Sequence, residues 1–404
     1  MKKLLTALVA AVCFSTNTLL AEVISGSWMG TLELGIAKLR LVVHVAQDGS
    51  CSLDSPDQGA NGIPASIVSR TVDSLEIKVP SIGASYSGRL KNGVLQGTFV
   101  QRGMKFPLEL KSGVSTVNRP QTPKPPFPYS TEEVSFTNKN AHAKLAGTLS
   151  VPAKATCAIL MVTGSGQQNR DEELFEHKPF AVIADHLARR GIATLRYDDR
   201  ATAKSIGGNL KTATTRDFAD DAAAGIAWLR ATGRFRKVGI IGHSEGSMIA
   251  FMLGAKNKLD FIVSLAGPAV RGDALLLEQH KAILGDAAKN LTIKQVRDSP
   301  ATSKNAWYRF FMDYDPQSDI RNITCPTLIL NGEKDCQVVA SQNLAAFRRN
   351  LPSHSMNIVK CYPNLNHLFQ HCQTGLPAEY GEIEETFSEE VLNDIADWLL
   401  KVSR

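Results

Sequence analysis

VGIIGHSEGSMI, residues 238–249, reads as a strand, a tight turn and the start of a helix. The apolar run 238–241 meets Gly242, His243, Ser244, Glu245 and Gly246, and helix-forming residues follow. In a G-x-S-x-G turn of this kind the serine is held at a strained backbone angle, and a side chain at either flanking position would strike strand or helix. Glycine at 242 and 246 removes both collisions. Ser244 is thereby a candidate exposed nucleophile; the plain alternative is an ordinary glycine-containing strand-to-helix turn.

A serine hydroxyl is a weak nucleophile at neutral pH, so it needs a base in hydrogen-bond reach and a third group that orients the base. Two later loops supply both. The strand-like TLILN (327–331) runs into Gly332, Glu333, Lys334 and Asp335, and MNIVK (356–360) is soon followed by Asn364, Leu365, Asn366 and His367. The reading assigns Ser244 as nucleophile, His367 as base and Asp335 as the carboxylate, each just past a different strand. Glu333 is the rival acid, and His243 and His371 are rival bases. The oxyanion of an acyl-transfer intermediate also needs fixed N–H donors. The residue after the nucleophile, Glu245, gives one, and the glycine-bearing loop Thr163-Gly164-Ser165-Gly166 the other, from Ser165 or next from Gly166.

From about 131 to 404, apolar runs alternate with amphipathic stretches, as in a parallel sheet covered by helices. Strands are expected at 145–151, 158–163, 193–197, 238–241, 261–265, 327–331 and 356–360. Helices are expected to include 179–190, 218–231, 246–253 and 389–402. Ligands of such sheets sit at the carboxyl ends of the strands, where all three candidates fall. An insertion at about 268–320, ahead of the acid-bearing strand, carries ALLLEQHKAIL and WYRFFMDYD and is expected to form a helical lid. Its Trp307, Tyr308, Phe310, Phe311 and Tyr314 either line an apolar acyl or aryl pocket or simply pack as core.

Residues 22–115 read as a small all-β domain, barrel or sandwich. Apolar alternation at Leu39, Leu41, Val43 and Val45 and at Leu75, Ile77 and Val79 is punctuated by Asp48-Gly49 and Asn92-Gly93 turns. Its expected task is structural, or the capture of a small ligand. NRPQTPKPPFPY, residues 118–129, has five prolines and makes 116–130 a semi-rigid linker.

The chain has 404 residues, 43% hydrophobic and 21% charged, enough for more than one packed core. Lys2 and Lys3, an apolar stretch from 4 to 14 and small residues ending in Ala21 form the pattern of a secretory leader over 1–21, too short for a stable membrane anchor. Its loss would remove two lysines and lower the formal charge from +6 to +4. So weak a balance, without basic blocks, argues against nucleic acid or a membrane surface as partner. The expected location is the periplasm or the exterior, where disulfides are permitted. Of Cys51, Cys157, Cys325, Cys336, Cys361 and Cys372, the pair Cys325/Cys361 lies at opposite ends of parallel strands, too far apart to bond. Cys336 and Cys372 lie on the acid and base loops. They are expected either to pair, pinning Asp335 to His367, or to stay free like the rest.

TGSGQQNRDE (163–172), RYDDR (196–200), GHSEG (242–246), LNGEKD (330–335) and NHLFQHCQTGLPAEYGEIEE (366–385) together resemble secreted bacterial α/β-hydrolases of the serine esterase and dienelactone-hydrolase-like group. More distantly they resemble prolyl-oligopeptidase-type catalytic domains. The resemblance spans 131–404 and implies an α/β-hydrolase fold: a doubly wound, mostly parallel sheet with a helical lid. It also implies carboxylic-ester hydrolysis of a small-molecule substrate with no metal or organic cofactor. By the same resemblance Arg170, Asp171, Asp198, Asp199 and Arg200 form a charged brace near the active-site loops, unless they are mere surface ion pairs. Gly26-Ser27-Trp28-Met29-Gly30 is similar to the first strand of lipocalin-like barrels. The chain departs from the group at Ala201, Ala203 and Ser247, where glycines are common, so the loop after Arg200 is expected to take its own path. The same triad would also serve a peptidase, thioesterase or acyl-transferase, and a vestigial enzyme that binds a lipid or sugar is the alternative of another class.

Overall fold

The computed structural model describes residues 23–34, 38–114, 117–300 and 304–404. The expected leader and its cleavage after Ala21 lie outside the described residues. Two compact units emerge. One takes in the described residues up to Leu32, then Leu41–Asp54 and Gly62–Val114; the other takes in described residues of Glu33–Arg40, then Ser55–Asn61, and the chain from 117 onward.

Eight strands close an antiparallel barrel in sequence order: β1 (Gly26–Glu33), β2 (Lys38–Val45), β3 (Cys51–Ser55), β4 (Ala60–Arg70), β5 (Ser74–Val79), β6 (Ala84–Lys91), β7 (Val94–Gln101) and β8 (Met104–Ser112). The two-residue Asn92-Gly93 turn joins β6 to β7 with Lys91 facing Val94, both turn residues at positive φ, as a right-twisted hairpin requires. Closure pairs Trp28 of β1 with Ser112 of β8. Inward residues such as Leu41, Val43, Leu75, Ile77, Tyr86, Leu95 and Leu110 are buried, so side chains fill the barrel.

The second unit holds a nine-stranded mixed sheet. Its strands are β9 (Ser130–Asn138), β10 (Ala143–Val151), β11 (Cys157–Val162), β12 (Ala193–Tyr197), β13 (Ile206–Gly207), β14 (Lys237–His243), β15 (Ile262–Leu265), β16 (Thr327–Gly332) and β17 (Ile358–Tyr362). The order is β13-β10-β12-β11-β14-β15-β16-β17, with β9 also on β10. From β12 to β17 all neighbours are parallel; β9, β10 and β13 are joined antiparallel. This is the α/β-hydrolase fold. The central strands are buried on both faces, which is why they read as unbroken apolar runs. Leu160, Val162, Ile240 and Ile262 face α2 (Thr215–Ala231), α3 (Glu245–Gly254) and α8 (Ala340–Asn350), whereas Ile159, Met161, Ile241 and Val263 face α1 (Pro179–Arg189) and α9 (Glu389–Val402). Each such fully buried aliphatic side chain contributes roughly 1.5–3 kcal/mol.

Before β16 the chain forms the expected helical insertion: α4 (Gly272–Leu284), α5 (Ile293–Asp298), α6 (Ala306–Asp313) and α7 (Gln317–Ile320). Leu275, Leu276, Phe311 and Met312 of the insertion pack with Met248 of α3. Among the described residues no helix is long and apolar enough to cross a membrane.

Candidate active site

β14 delivers Ser244 into the left-handed region at φ 52, ψ −116 before α3 begins. The glycine requirement read from the sequence is steric. A Cβ on Gly242 would meet the Gly246 carbonyl oxygen at 2.1 Å, and one on Gly246 would meet that of Val162 at 2.1 Å. At 247, where the resembling group often has glycine, the serine hydroxyl donates to the Gly242 carbonyl at 2.7 Å and closes the elbow.

Past β16, Asp335 is buried, and its Oδ1 accepts the N–H groups of Gln337 and Val338 at 2.8 Å each. Its Oδ2 accepts from Asn331 Nδ2 at 3.1 Å and from His367 Nδ1 at 2.8 Å. With Nδ1 occupied as donor, Nε2 of His367 is the nitrogen left to take a proton. The loops of Asp335 and His367 cross at Gly332, where a Cβ would lie 2.3 Å from the Leu365 carbonyl oxygen. The rivals are elsewhere. Glu333 is exposed and accepts from the Asn364 N–H, and the exposed His371 pairs with Glu385 at 2.8 Å.

His243 has a structural task that its sequence position did not reveal. Its Nδ1 faces Glu172 Oε1 at 2.8 Å, its Nε2 faces the His367 carbonyl oxygen at 3.0 Å, and its ring centroid lies 4.7 Å from that of His367. Burial opposes a charge on this ring, but the Glu172 carboxylate and the His367 carbonyl together raise its pKa above the ordinary histidine value. Glu172 also accepts the Gly164 N–H at 2.6 Å. One buried pair therefore ties the loop after β11 to the loop of His367, with Ser244 between them. Because the Gly164 N–H is committed to Glu172, the next donor on the loop is that of Ser165. The Glu245 N–H sits at the first turn of α3, where backbone donors have no partner within the helix.

The charged brace forms in part. Arg170 binds Asp198 through Nε at 3.1 Å and through its terminal nitrogen at 2.8 Å, and Arg196 pairs with Asp171. Arg200 turns away to Asp221 of α2 at 2.6 Å, and among the described residues no cation pairs with Asp199. Asp199 instead accepts from the Gln168 N–H at 2.9 Å and the Thr163 hydroxyl, holding both ends of the Ser165 loop; burial pushes its carboxyl well above the usual range. Of the two outcomes expected for Cys336 and Cys372, the structure shows the free one. Both thiols are free, Cys336 donating to the Gly375 carbonyl at 3.1 Å and Cys372 to that of Asn364 at 3.4 Å. Each thiol has a nearby carbonyl as an alternative to pairing, which residue spacing does not reveal.

A cavity of about 290 Å³ joins Ser165, Ser244 and His367 to the insertion. Trp307, Tyr308 and Phe311 line it with Leu275, Leu276 and Val338, while Gln168, Gln279 and Gln337 supply neutral polar groups. Phe310 and Tyr314 are not among its walls; they stack on each other at 5.8 Å and pack against the α2–α3 core. Asp335 completes the site from behind His367. The arrangement contains a strained serine, an imidazole with a free Nε2, a locked carboxylate and backbone donors, which are the parts that acyl transfer uses.

Comparison with known proteins gives a match of residues 176–321 to the family described as serine aminopeptidase, S33. Esterase EstD of Thermotoga maritima is 25% identical over 330 residues, 77% of this chain and 75% of the relative. Among solved structures, an esterase of Pyrococcus furiosus aligns with TM-score 0.49 and 17% identity, covering 72% of this chain and all of that one. A dienelactone hydrolase from Anabaena variabilis aligns with TM-score 0.44 and 20% identity, covering 69% of this chain and all of that one.

Proposed function

We propose that this chain hydrolyses carboxylic esters through an acyl-enzyme on Ser244. One observation carries the reading: the left-handed Ser244 opens into the same cavity as His367, whose Nδ1 is held 2.8 Å from Asp335. The 25% identity to an esterase over most of the chain supports it. Ser244 Oγ attacks the ester carbonyl carbon while its proton passes to His367 Nε2, and Asp335 stabilises the imidazolium. The carbonyl oxygen, now an anion, is held by the N–H groups of Glu245 and Ser165. As the intermediate collapses, the C–O bond to the alcohol breaks and His367 returns the proton to the leaving oxygen. Water then attacks the acyl-enzyme, giving its proton to His367, and the acid departs as Ser244 is regenerated.

Aminopeptidase activity is the second reading, favoured by the description of the matched family. It asks for an anionic group to hold a substrate ammonium, and the acidic wall residue, Glu172, is already paired with His243. Assay of short-chain p-nitrophenyl esters beside aminoacyl anilides, with Ser244→Ala as control, decides between them. Ester turnover lost in the variant by a factor on the order of 10⁶ is expected. Anilide preference would move the assignment to a peptidase, and turnover of neither would leave a binding protein. We also propose export, on the strength of the Lys2, Lys3 and Ala21 pattern; retention of an uncleaved chain in the cytoplasm would refute it.

A further inference from the structure

The side chain of Glu245 is unexplained by the mechanism above, which uses only its N–H. Its carboxylate is 2% exposed, and no cation pairs with it among the described residues. Such a group is costly to bury unless donors surround it. Three do. The Thr215 hydroxyl, at the start of α2, donates to Oε1 at 2.6 Å; the Trp307 indole N–H, on α6 of the insertion, donates to the same oxygen at 2.7 Å; and the Ser165 side chain is a further partner. Trp307 is also a wall of the cavity, stacked on Phe311 at 5.0 Å. One carboxylate thus touches the insertion, the loop of one expected oxyanion donor, and the residue that is itself the other.

The indole N–H is a donor with no acceptor capacity, so when α6 is seated it satisfies Glu245, and when α6 lifts, the buried carboxylate loses a partner. We propose that Glu245 is a positioning residue that couples the seating of Trp307 against bound substrate to the geometry of the oxyanion donors at Glu245 and Ser165. This rests on the ester-hydrolase reading and adds how the site selects: an acyl group that fills the Trp307 wall is rewarded in kcat, not only in KM. By this coupling, acyl groups large enough to press on Trp307 gain in kcat over an acetyl group.

The test is a series of p-nitrophenyl esters from acetate to hexanoate and benzoate, assayed with the full chain and with Trp307→Phe, Glu245→Gln, Glu245→Ala and the Trp307→Phe/Glu245→Ala double variant. Trp307→Phe keeps an aromatic wall but deletes the N–H. It is expected to leave KM within about threefold, to remove the rise of kcat with acyl size, and to cost roughly tenfold in kcat on the larger esters. Glu245→Ala should lose as much or more, and Glu245→Gln, which retains an acceptor for Trp307 and Thr215, should recover much of it. In the Glu245→Ala background, Trp307→Phe should cost nothing further, since the link is already cut. Effects that multiply in the double variant, or a Trp307→Phe effect confined to KM, would overturn the coupling while Ser244-dependent turnover kept the esterase reading intact. Absence of Ser244-dependent turnover on every ester would instead overturn the reading on which it stands.

Discussion

Asp335 accepts four hydrogen bonds, and only one of them goes to His367. The other three fix the carboxylate, so Asp335→Asn would turn an N–H toward Nδ1 or force the wrong tautomer. Steady-state kinetics on a p-nitrophenyl ester should show kcat lower by about 10⁴-fold. Glu172→Ala would leave the buried His243 without its partner and free the Ser165 loop from the His367 loop. Urea unfolding should register a loss of about 3 kcal/mol, and kcat should fall with it; unchanged stability would refute the clamp. The barrel carries a second serine, histidine and aspartate in series, Ser27 to His44 Nδ1 at 2.8 Å and His44 Nε2 to Asp54 at 2.8 Å. Ser27, however, lies within strand β1 and not on an elbow. Ser27→Ala should retain full ester turnover. The placement of Ser244, Asp335 and His367 past strand ends was legible in sequence because each follows an apolar run at a turn. The tasks of Glu172, His243 and Glu245 were not, because their partners are 71, 124 and 62 residues away and only the stacked loops bring them together.

The strand–elbow–helix unit is the element on which the site depends, and its sequence is decisive because any Cβ at 242 or 246 meets backbone that cannot move cheaply. The helical insertion was equally legible. β9 was not, since STEEVSFTN has charged outward positions and abuts the proline-rich segment, so its pairing with β10 replaces a hydrophobic signal. The two-residue β13 was also invisible, being exposed. The loop after Arg200 was expected to take its own path for want of glycines, but its alanines hold the backbone conformation that glycine favours. Ala201 and Ala203 both adopt positive φ, 54° and 47°, a region that costs an L-residue about 1 kcal/mol or more. Ala201→Gly relieves that strain at an unfolded-state entropy cost of about 0.4–1 kcal/mol. Its stability by thermal unfolding should therefore be equal or slightly higher, and a loss above about 1 kcal/mol would contradict the assigned backbone.

At the scale of the whole molecule, one buried histidine makes acid a destabilising direction. His177 is fully buried, and desolvation, helped by the Arg119 charge, lowers its pKa from 6.5 to about 4. The neutral ring fits its site, Nε2 3.0 Å from the Tyr380 carbonyl oxygen and Nδ1 2.8 Å from the Thr386 hydroxyl. Above pH 6.5 neither folded nor unfolded chain protonates it. As pH falls toward about 4 the unfolded chain takes a proton that the native state refuses, so stability is lost across that window, by about 3 kcal/mol from this group. Denaturant midpoints at pH 7 and 4.5 should show His177→Asn losing less between them than the natural chain. The same convergence of distant segments underlies the site, where three strand ends and an elbow meet around one cavity. Its most direct measurement is mass spectrometry of protein quenched during turnover of p-nitrophenyl acetate and digested to peptides. The account predicts one acetyl group on the peptide bearing Ser244, absent from Ser244→Ala; turnover with the acetyl group on another residue, or with Ser244→Ala as active as the natural chain, would contradict it.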